Sequence, residues 1–309
     1  MALLVWEAAE NWPEAWQENL FSPIVAGGTY LQDYVVYVSG WEGTGTLFRL
    51  YEYNITQRTW TRLADPPDYV NAAISMSPNH NLLCTPANPH PRVQIYNIAT
   101  NTWTLSSAAP QILATDVLIM NSVWADDDTV WAFVRNSVGG VWRTKCYRYV
   151  VSTDTWTDYV NVYSPAIHNP QAMGISPDLS TLYFGQCGAD YNDLSKYVIA
   201  TDAYSVAVNL GATLYFPYCC DRNRVWYGAT TGGFAQIMHY IDLSDESLHT
   251  NIFPSNASRD KPANISAGVY DAEAAIVWYR TTEPKNWTYV TRDLTATPTV
   301  QTLPATGVT

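Results

Sequence analysis

Short β-rich apolar runs separated by polar turns make up much of this chain, and one run recurs in recognisable form. Three copies place a Trp seven residues after a Tyr: Tyr53 and Trp60, Tyr96 and Trp103, Tyr149 and Trp156. The flanking segments are rich in residues that favour strands, and the Asn, Thr, Gln and Asp between them favour a tight turn. Each Tyr–Trp phrase therefore predicts an antiparallel hairpin.

A second marker, a polar turn followed by an apolar strand, precedes each hairpin and recurs more often. Its aligned apolar residues are Val35, Leu82, Val130, Leu182, Val225 and Ile276, spaced by 43 to 52 residues. Weaker hairpin copies then emerge at Tyr197 to Tyr204, Tyr240 to Leu248 and Arg292 to Val300, and a further strand precedes each marker. A period of this size indicates an array of six supersecondary units, each with four strands.

Units of four short strands at this period are typical of a closed propeller, in which few strand edges are left open. We therefore predict an all-β fold: a single closed domain that is a six-bladed β-propeller of four-stranded antiparallel blades over residues 21–304. The predicted blades are 21–66, 67–110, 111–165, 166–211, 212–254 and 255–304. Residues 1–20 are expected to form an N-terminal arm or a ring-closing strand, although 299–303 also predicts an outer strand for the last blade. Residues 305–309 form a C-terminal tail.

The Tyr–Trp phrase resembles the repeat of kelch-type β-propellers, which carry a Tyr in the third strand and a Trp in the fourth. The resemblance is sharpest at the scaffold residues Tyr53, Trp60, Tyr96, Trp103, Tyr149 and Trp156. The glycine pair that usually ends the second kelch strand is missing, so the repeats are degenerate. The resemblance implies a binding platform, since most kelch propellers bind proteins and a few are enzymes.

The charge balance and the lengths of the apolar runs exclude two kinds of partner. The chain has 28 acidic and 16 basic residues, a net charge of −12, and no basic cluster that could neutralise phosphates. We therefore expect no nucleic-acid partner. No apolar run approaches the length of a membrane span, so no membrane insertion is expected, and the start lacks the features of a signal peptide. These features predict synthesis in the cytoplasm.

Candidate metal and catalytic residues do not form a motif. The five cysteines and five histidines lack metal-ligand spacing, and the cysteines are expected to be buried small hydrophobes in strands. Asp126, Asp127 and Asp128 form the densest carboxylate cluster and could hold calcium, but their position before a second strand favours a turn. We therefore predict no metal, no cofactor and no catalytic residue.

Several tryptophans have no place in the repeat. Those selected as candidate binding residues are Trp6, Trp12 and Trp16 in the N-terminal segment, Trp41 and Trp142 in inter-strand loops, and Trp287. Exposed aromatic rings serve protein interfaces and stack on sugars, because each has a large apolar face. The alternative is that these rings pack beneath long loops.

These features favour a non-catalytic binding or assembly module that docks a protein partner, a second copy of itself or a surface glycan. Few lysines with abundant Thr, Asn and Tyr are compatible with a virion or tail component that assembles in the cytosol and acts outside the cell. The alternative is a glycan-active hydrolase or lyase with carboxylates gathered at the centre of the propeller.

Overall fold

A computed structural model describes residues 5–9, 24–29, 34–42, 47–54, 57, 59–68, 74–79, 81–87, 91–110, 118–138, 141–163, 170–186, 193–209, 215–220, 224–231, 234–249, 264–270, 275–280 and 287–291. Within these ranges the chain is all-β, with a single 3₁₀ turn at Ile199–Thr201 and no α-helix. The predicted fold class is confirmed at this level.

The described strands form six four-stranded antiparallel sheets. The first three are β2 (Ile24–Thr29), β3 (Tyr34–Glu42), β4 (Leu47–Asn54) and β5 (Thr59–Arg62); β6 (Ser75–Met76), β7 (Leu82–Ala87), β8 (Arg92–Asn97) and β9 (Thr102–Leu105); and β10 (Leu118–Trp124), β11 (Thr129–Val138), β12 (Val141–Val150) and β13 (Thr155–Tyr163). We number them sheets 1 to 3 in chain order.

Sheets 4 and 5 follow the same plan. They are β14 (Pro170–Ile175), β15 (Thr181–Gln186), β16 (Asp193–Val198) and β17 (Ala203–Asn209); and β18 (Tyr215–Cys220), β19 (Arg224–Thr231), β20 (Phe234–Asp242) and β21 (Leu248–His249). In all five sheets the strands pair in chain order, so each is a simple meander.

Sheet 6 joins distant parts of the chain. Its first three strands are β22 (Asn264–Tyr270), β23 (Ala275–Arg280) and β24 (Trp287–Thr291), and the fourth is β1 (Val5–Ala9). In the register Ala9 lies opposite Trp287 and Val5 opposite Thr291. The predicted outer strand at 299–303 and the predicted hairpin at Arg292 to Val300 lie outside the described residues.

The core lies between consecutive sheets. Val130 and Ala132 of β11 pack against Cys84, Val93 and Ile95 of sheet 2. The alternate residues of the same strand, Trp131 and Phe133, pack against Leu182 and Phe184 of sheet 4. Because side chains alternate across a strand, one strand can fill both interfaces only if both of its faces are apolar. The apolar marker strands found in the sequence meet this requirement.

The same arrangement joins the sheets on either side. Leu50 of sheet 1 is fully buried against Ile74, Leu83 and Tyr96 of sheet 2. Tyr183 and Leu194 of sheet 4 pack against Val225, Ile241 and Leu243 of sheet 5. Sheets 1 to 5 are therefore held together by face-to-face apolar packing between neighbours.

The first strands of consecutive sheets lie beside one another. β2 neighbours β6, β6 neighbours β10, β10 neighbours β14, β14 neighbours β18, β18 neighbours β22, and β22 neighbours β2. The first strands of the six sheets thus lie beside one another, and the fourth strand of each sheet is the one farthest from them in the strand order.

Candidate functional site

The two ends of each sheet differ in their chemistry. We call the end with the turn between the third and fourth strands the Tyr–Trp end, and the end with the loop between the second and third strands the open end. In an antiparallel meander the turn between the first and second strands also lies at the Tyr–Trp end.

The Tyr–Trp hairpin of sheet 2 holds the chain that leaves sheet 1. Tyr96 lies opposite Trp103 in the register, and their ring centroids are 5.0 Å apart. The Trp103 indole N–H donates a hydrogen bond to the Ala64 carbonyl at 2.8 Å. The Ala64 N–H donates to Oδ1 of Asn101 at 2.7 Å. Both backbone groups of Ala64 are therefore satisfied by the neighbouring sheet.

Asn101 is the centre of this contact. Its φ of 53° is in the left-handed region, which Asn tolerates better than most residues. The same Oδ1 atom accepts a hydrogen bond from the Tyr96 hydroxyl at 2.7 Å. Burial, followed by the negative charge of Glu52, raises the pKa of Tyr96 to about 12, so its hydroxyl remains a donor at neutral pH. These three residues, namely the Tyr, the acceptor in the left-handed conformation and the Trp, are together called the clasp.

Sheet 3 repeats the clasp on the chain that leaves sheet 2. Trp156 Nε1–H donates to the Ser107 carbonyl at 3.0 Å, and the Ser107 N–H donates to Asp154 Oδ1 at 2.7 Å. Tyr149 donates its hydroxyl to the same Asp154 oxygen at 2.8 Å, and Asp154 has a φ of 49°. The hydrogen bonds from Ser107 N–H, Tyr149 and Ser107 Oγ, with the charge of Arg92, lower the pKa of Asp154.

The later sheets vary this plan. In sheet 4, Tyr197 donates to Asp202 at 2.8 Å, and Asp202 has a φ of 49°, but Tyr204 replaces the Trp. In sheet 5, Ile241 lies opposite Leu248, and Glu246 is the left-handed residue, with a φ of 59°. The seven-residue step is thus retained. The predicted pairing of Tyr240 with Leu248 is wrong, because Tyr240 lies opposite His249.

Glu246 makes a different contact with the preceding sheet. It accepts hydrogen bonds from the Tyr183 hydroxyl at 3.0 Å and from Lys196 Nζ at 2.7 Å, both from sheet 4. These donors lie on strands β15 and β16 rather than on the chain leaving the sheet. The fifth hairpin therefore also holds its neighbour, through an ion pair instead of a backbone contact.

The carboxylates of the aspartate cluster accept hydrogen bonds that stabilise the turns. Asp126 accepts a hydrogen bond from Asp128 N–H at 2.8 Å, and Asp127 accepts one from Asn79 N–H of sheet 2 at 2.7 Å. Asp128 accepts hydrogen bonds from the backbone and hydroxyl of Ser152. Among the residues whose side chains are described, no three His, Cys, Asp or Glu converge as metal ligands. The geometry favours the turn interpretation over a calcium site.

Two cysteines are confirmed as buried strand residues. Cys84 and Cys146 are free thiols with no exposed surface, in β7 and β12. Burial raises the pKa of Cys84 to about 12, more than the hydrogen bond from Ser122 lowers it. Burial likewise raises the pKa of Cys146 well above its ordinary value. Such thiols are poor nucleophiles at neutral pH.

The open end carries predicted binding residues from three sheets. Trp41 lies near the end of β3, opposite Phe48 of β4, and Trp142 lies near the start of β12, opposite Ser137 of β11. Trp287 is the first residue of β24. The expectation that Trp41 and Trp142 lie in loops is wrong. Strand pairing continues to Glu42 and Leu47 and to Val138 and Val141, so both tryptophans are strand residues.

The N-terminal tryptophans are placed in part. Trp6 lies in β1 opposite Val290, three residues from the open end of sheet 6. Trp12 and Trp16 lie outside the described residues. Sequence reasoning missed Phe234, which begins β20 opposite Thr231, also at the open end. Its position next to Gly232 and Gly233 was the available signal.

Comparison with known proteins identifies the type of fold but does not identify a family. No protein-family description matches the sequence, and no curated protein matches it. Among solved structures, TolB from Acinetobacter baumannii matches with a TM-score of 0.54 and 9% identity over 84% of this chain. This chain spans 63% of the length of the TolB chain.

A chain in the mitotic checkpoint complex matches with a TM-score of 0.54 and 10% identity, covering 93% of this chain and 91% of the other. Both matched proteins are β-propellers. In the described ranges no helix is long and apolar enough to cross a membrane. The chain has an all-β fold of the propeller type, built from four-stranded antiparallel sheets.

Proposed function

We propose that this chain is a non-catalytic binding module, a closed six-bladed propeller of degenerate kelch type that docks its partner on the open end. Closure is supported by the cyclic order of the six first strands, in which β22 lies beside β2. It is further supported by β1, which ties residues 5–9 into the same sheet as residues 264–291. A closed ring places corresponding ends of all sheets on one side.

The observation that carries the proposal is the contrast between aromatic residues at the two ends. Trp103 and Trp156 donate their indole N–H groups to backbone carbonyls of the neighbouring sheet, so their polar atoms serve the fold. Trp41, Trp142 and Trp287 stand at the opposite end of their sheets, outside the repeat. Aromatic residues that the fold does not require are typical of binding surfaces.

The composition of the first strands opposes the enzyme alternative. β2, β6, β10, β14, β18 and β22 contain no Asp, Glu, Lys, Arg or His along their whole lengths. In a closed ring these strands line the centre, where a hydrolase would gather its carboxylates. General acid–base chemistry requires titratable groups within hydrogen-bond reach of the substrate. The six first strands supply no carboxylate, Lys, Arg or His for this chemistry.

Position-specific photo-crosslinking tests the docking end. A benzophenone amino acid is placed at Ser137 or Thr231 on the open end, and at Ala203 or Leu248 on the Tyr–Trp end, where both residues are exposed. Each protein is irradiated in an extract of its native host, and adducts are identified by mass spectrometry. We expect one recurring adduct from positions 137 and 231 and none from 203 and 248. Adducts confined to the Tyr–Trp end, or equal at both ends, would refute the proposal.

A further inference from the structure

The outer hairpin of sheet 5 lacks the side chains that hold the hairpins of sheets 2 and 3. Ile241 stands where those sheets have the clasp Tyr, and Leu248, which lies opposite it, stands where they have the Trp. Leu248 remains 38% exposed, whereas Trp103 and Trp156 are half-buried. A leucine side chain has no N–H group, so it donates no hydrogen bond to the chain that leaves sheet 4.

The fourth strand of sheet 5 also pairs over a short distance. Among the six described fourth strands β21 is the shortest, with two residues, and both are exposed. Tyr240 lies opposite His249 and Ile241 opposite Leu248, whereas β8 and β9 pair at four positions. Few ladder pairs and exposed side chains favour local opening. We call residues 244–249 the flap.

The flap has hydrogen bonds of its own. The Glu246 N–H donates to the Asp242 carbonyl at 2.8 Å, and the Asp242 N–H donates to the Ser247 carbonyl at 3.0 Å. The Ser247 N–H donates to the Asp245 carboxylate at 2.9 Å. These bonds lie within residues 242–247, so the flap can move away from sheet 4 without breaking its turn.

The side chain of Glu246 connects the flap to sheet 4. Its Oε1 atom accepts hydrogen bonds from the Tyr183 hydroxyl at 3.0 Å and from Lys196 Nζ at 2.7 Å. The Glu246 and Lys196 side chains are each 27% exposed, so water still reaches the ion pair but screens it less than a fully exposed one. The flap is therefore connected to its neighbour by charge, where sheets 2 and 3 use a neutral clasp tryptophan.

Negative charge accumulates around this contact. Burial, followed by the hydrogen bond and charge of Glu246 and the charge of Asp178, raises the pKa of Tyr183, so its hydroxyl remains a donor at neutral pH. Lys196 is the only Lys or Arg between residues 170 and 209, and the acids in that range are Asp178, Asp190, Asp193 and Asp202. The side chains of Arg222 and Arg224 in sheet 5 are not among those described. Among the described side chains of the two sheets, Lys196 is thus the one permanent cation beside Glu246.

We propose that the flap is a conformational element held by charge: residues 244–249 detach from sheet 4 locally, without global unfolding, and Lys196 controls how often they do so. Detachment breaks the contacts of Glu246 with Tyr183 and Lys196 and uncovers the outer edge of β20. The buried apolar cluster between sheets 4 and 5 stays closed, because its members lie outside residues 244–249. The flap lies at the Tyr–Trp end, so this inference is independent of the docking end proposed above.

Hydrogen–deuterium exchange of the full chain, resolved by mass spectrometry, tests the inference. Residues 244–249 are compared with residues 101–105, the corresponding hairpin of sheet 2, in the same sample. In the unaltered protein we expect the flap to exchange at least about 10-fold faster, relative to its intrinsic rate. Lys196→Met keeps an unbranched stem and removes the charge. It should accelerate exchange of the flap about 5-fold and leave residues 101–105 unchanged.

A double-mutant cycle tests whether the ion pair controls the flap. Glu246→Gln removes the negative charge but keeps an acceptor for Tyr183, and it should accelerate exchange of the flap about 3-fold. The protein with both changes should exchange no faster than Lys196→Met alone, because both changes break one ion pair.

Four results would overturn the inference. Equal exchange of the flap and of residues 101–105 in the unaltered protein would show that the flap does not open locally. Equal acceleration of both segments in Lys196→Met, or failure of that variant to fold, would show that Lys196 supports the whole fold. Additive effects of Lys196→Met and Glu246→Gln would show that the two residues act independently.

Discussion

The two ends of the sheets use aromatic residues in opposite ways. At the Tyr–Trp end, Trp103 and Trp156 pack on a Tyr and hydrogen-bond the chain leaving the previous sheet. At the open end, Trp41, Trp142 and Trp287 occupy strand ends that do not repeat from sheet to sheet. Abundance of aromatic residues is therefore not itself a sign of function, because periodic aromatics can be accounted for by the fold.

The largest effect is expected from removing a clasp tryptophan. Trp103→Ala should lower the free energy of unfolding by about 3 kcal/mol, because it removes a half-buried ring and leaves the Ala64 carbonyl without its donor. Urea unfolding followed by circular dichroism measures this. Trp103→Phe keeps the ring and loses only the N–H, so it should cost about 1 kcal/mol. Equal losses for the two variants would show that the indole hydrogen bond, rather than packing, dominates.

A smaller loss is expected at the left-handed acceptor. Asn101→Ala should destabilise the protein by about 2 kcal/mol, because it removes the acceptor for Ala64 N–H and Tyr96 and strains a residue with a φ of 53°. Asn101→Gly removes the same acceptor but suits the backbone, so its loss should be about 1 kcal/mol smaller. The thermal midpoints of both variants measure the difference. If the glycine variant is as unstable as the alanine variant, backbone strain at position 101 does not contribute to the loss of stability.

The smallest effect is a change in pH dependence. The pKa of Asp154 is lowered in the folded protein, so its contribution is present above the unfolded pKa and is lost as pH falls through the folded pKa. Asp154→Asn keeps an acceptor at this position but cannot titrate. Between about pH 5 and pH 2, the unaltered protein should lose more stability than the variant. If the free energies of unfolding of the two proteins fall in parallel over this pH range, the Asp154 carboxylate does not contribute to the pH dependence of stability.

The local part of the fold could be predicted from the sequence, because hairpins are encoded by neighbouring residues. The seven-residue step from Tyr to Trp places Tyr96 opposite Trp103 and Tyr149 opposite Trp156, as the register shows. The sequence also contains a recurring polar acceptor five residues after the Tyr, which is Asn101, Asp154 or Asp202. It was missed because the phrase was defined by its aromatic ends alone.

Pairing between distant strands and the exact ends of strands could not be predicted from local sequence patterns. The sequence Val5 to Ala9 contains too little pattern to identify β24 as its partner, which follows about 280 residues later. In sheet 5 the sequence points to Tyr240 as the first residue of the hairpin step, but Ile241 occupies that position, and the left-handed Glu246 accepts a hydrogen bond from Tyr183 of sheet 4. At the open end, strand ends and loops cannot be separated by composition, so Trp41 and Trp142 were placed in loops.

The most direct test of the account compares the stability of matched alanine variants at the two ends. Trp142→Ala should lower the free energy of unfolding in urea by less than about 1 kcal/mol, within the range of substitutions outside structural features. Trp103→Ala, measured alongside it, should lower it by about 3 kcal/mol. A loss for Trp142→Ala as large as that for Trp103→Ala would show that the open-end aromatics are also part of the scaffold, and would contradict the account.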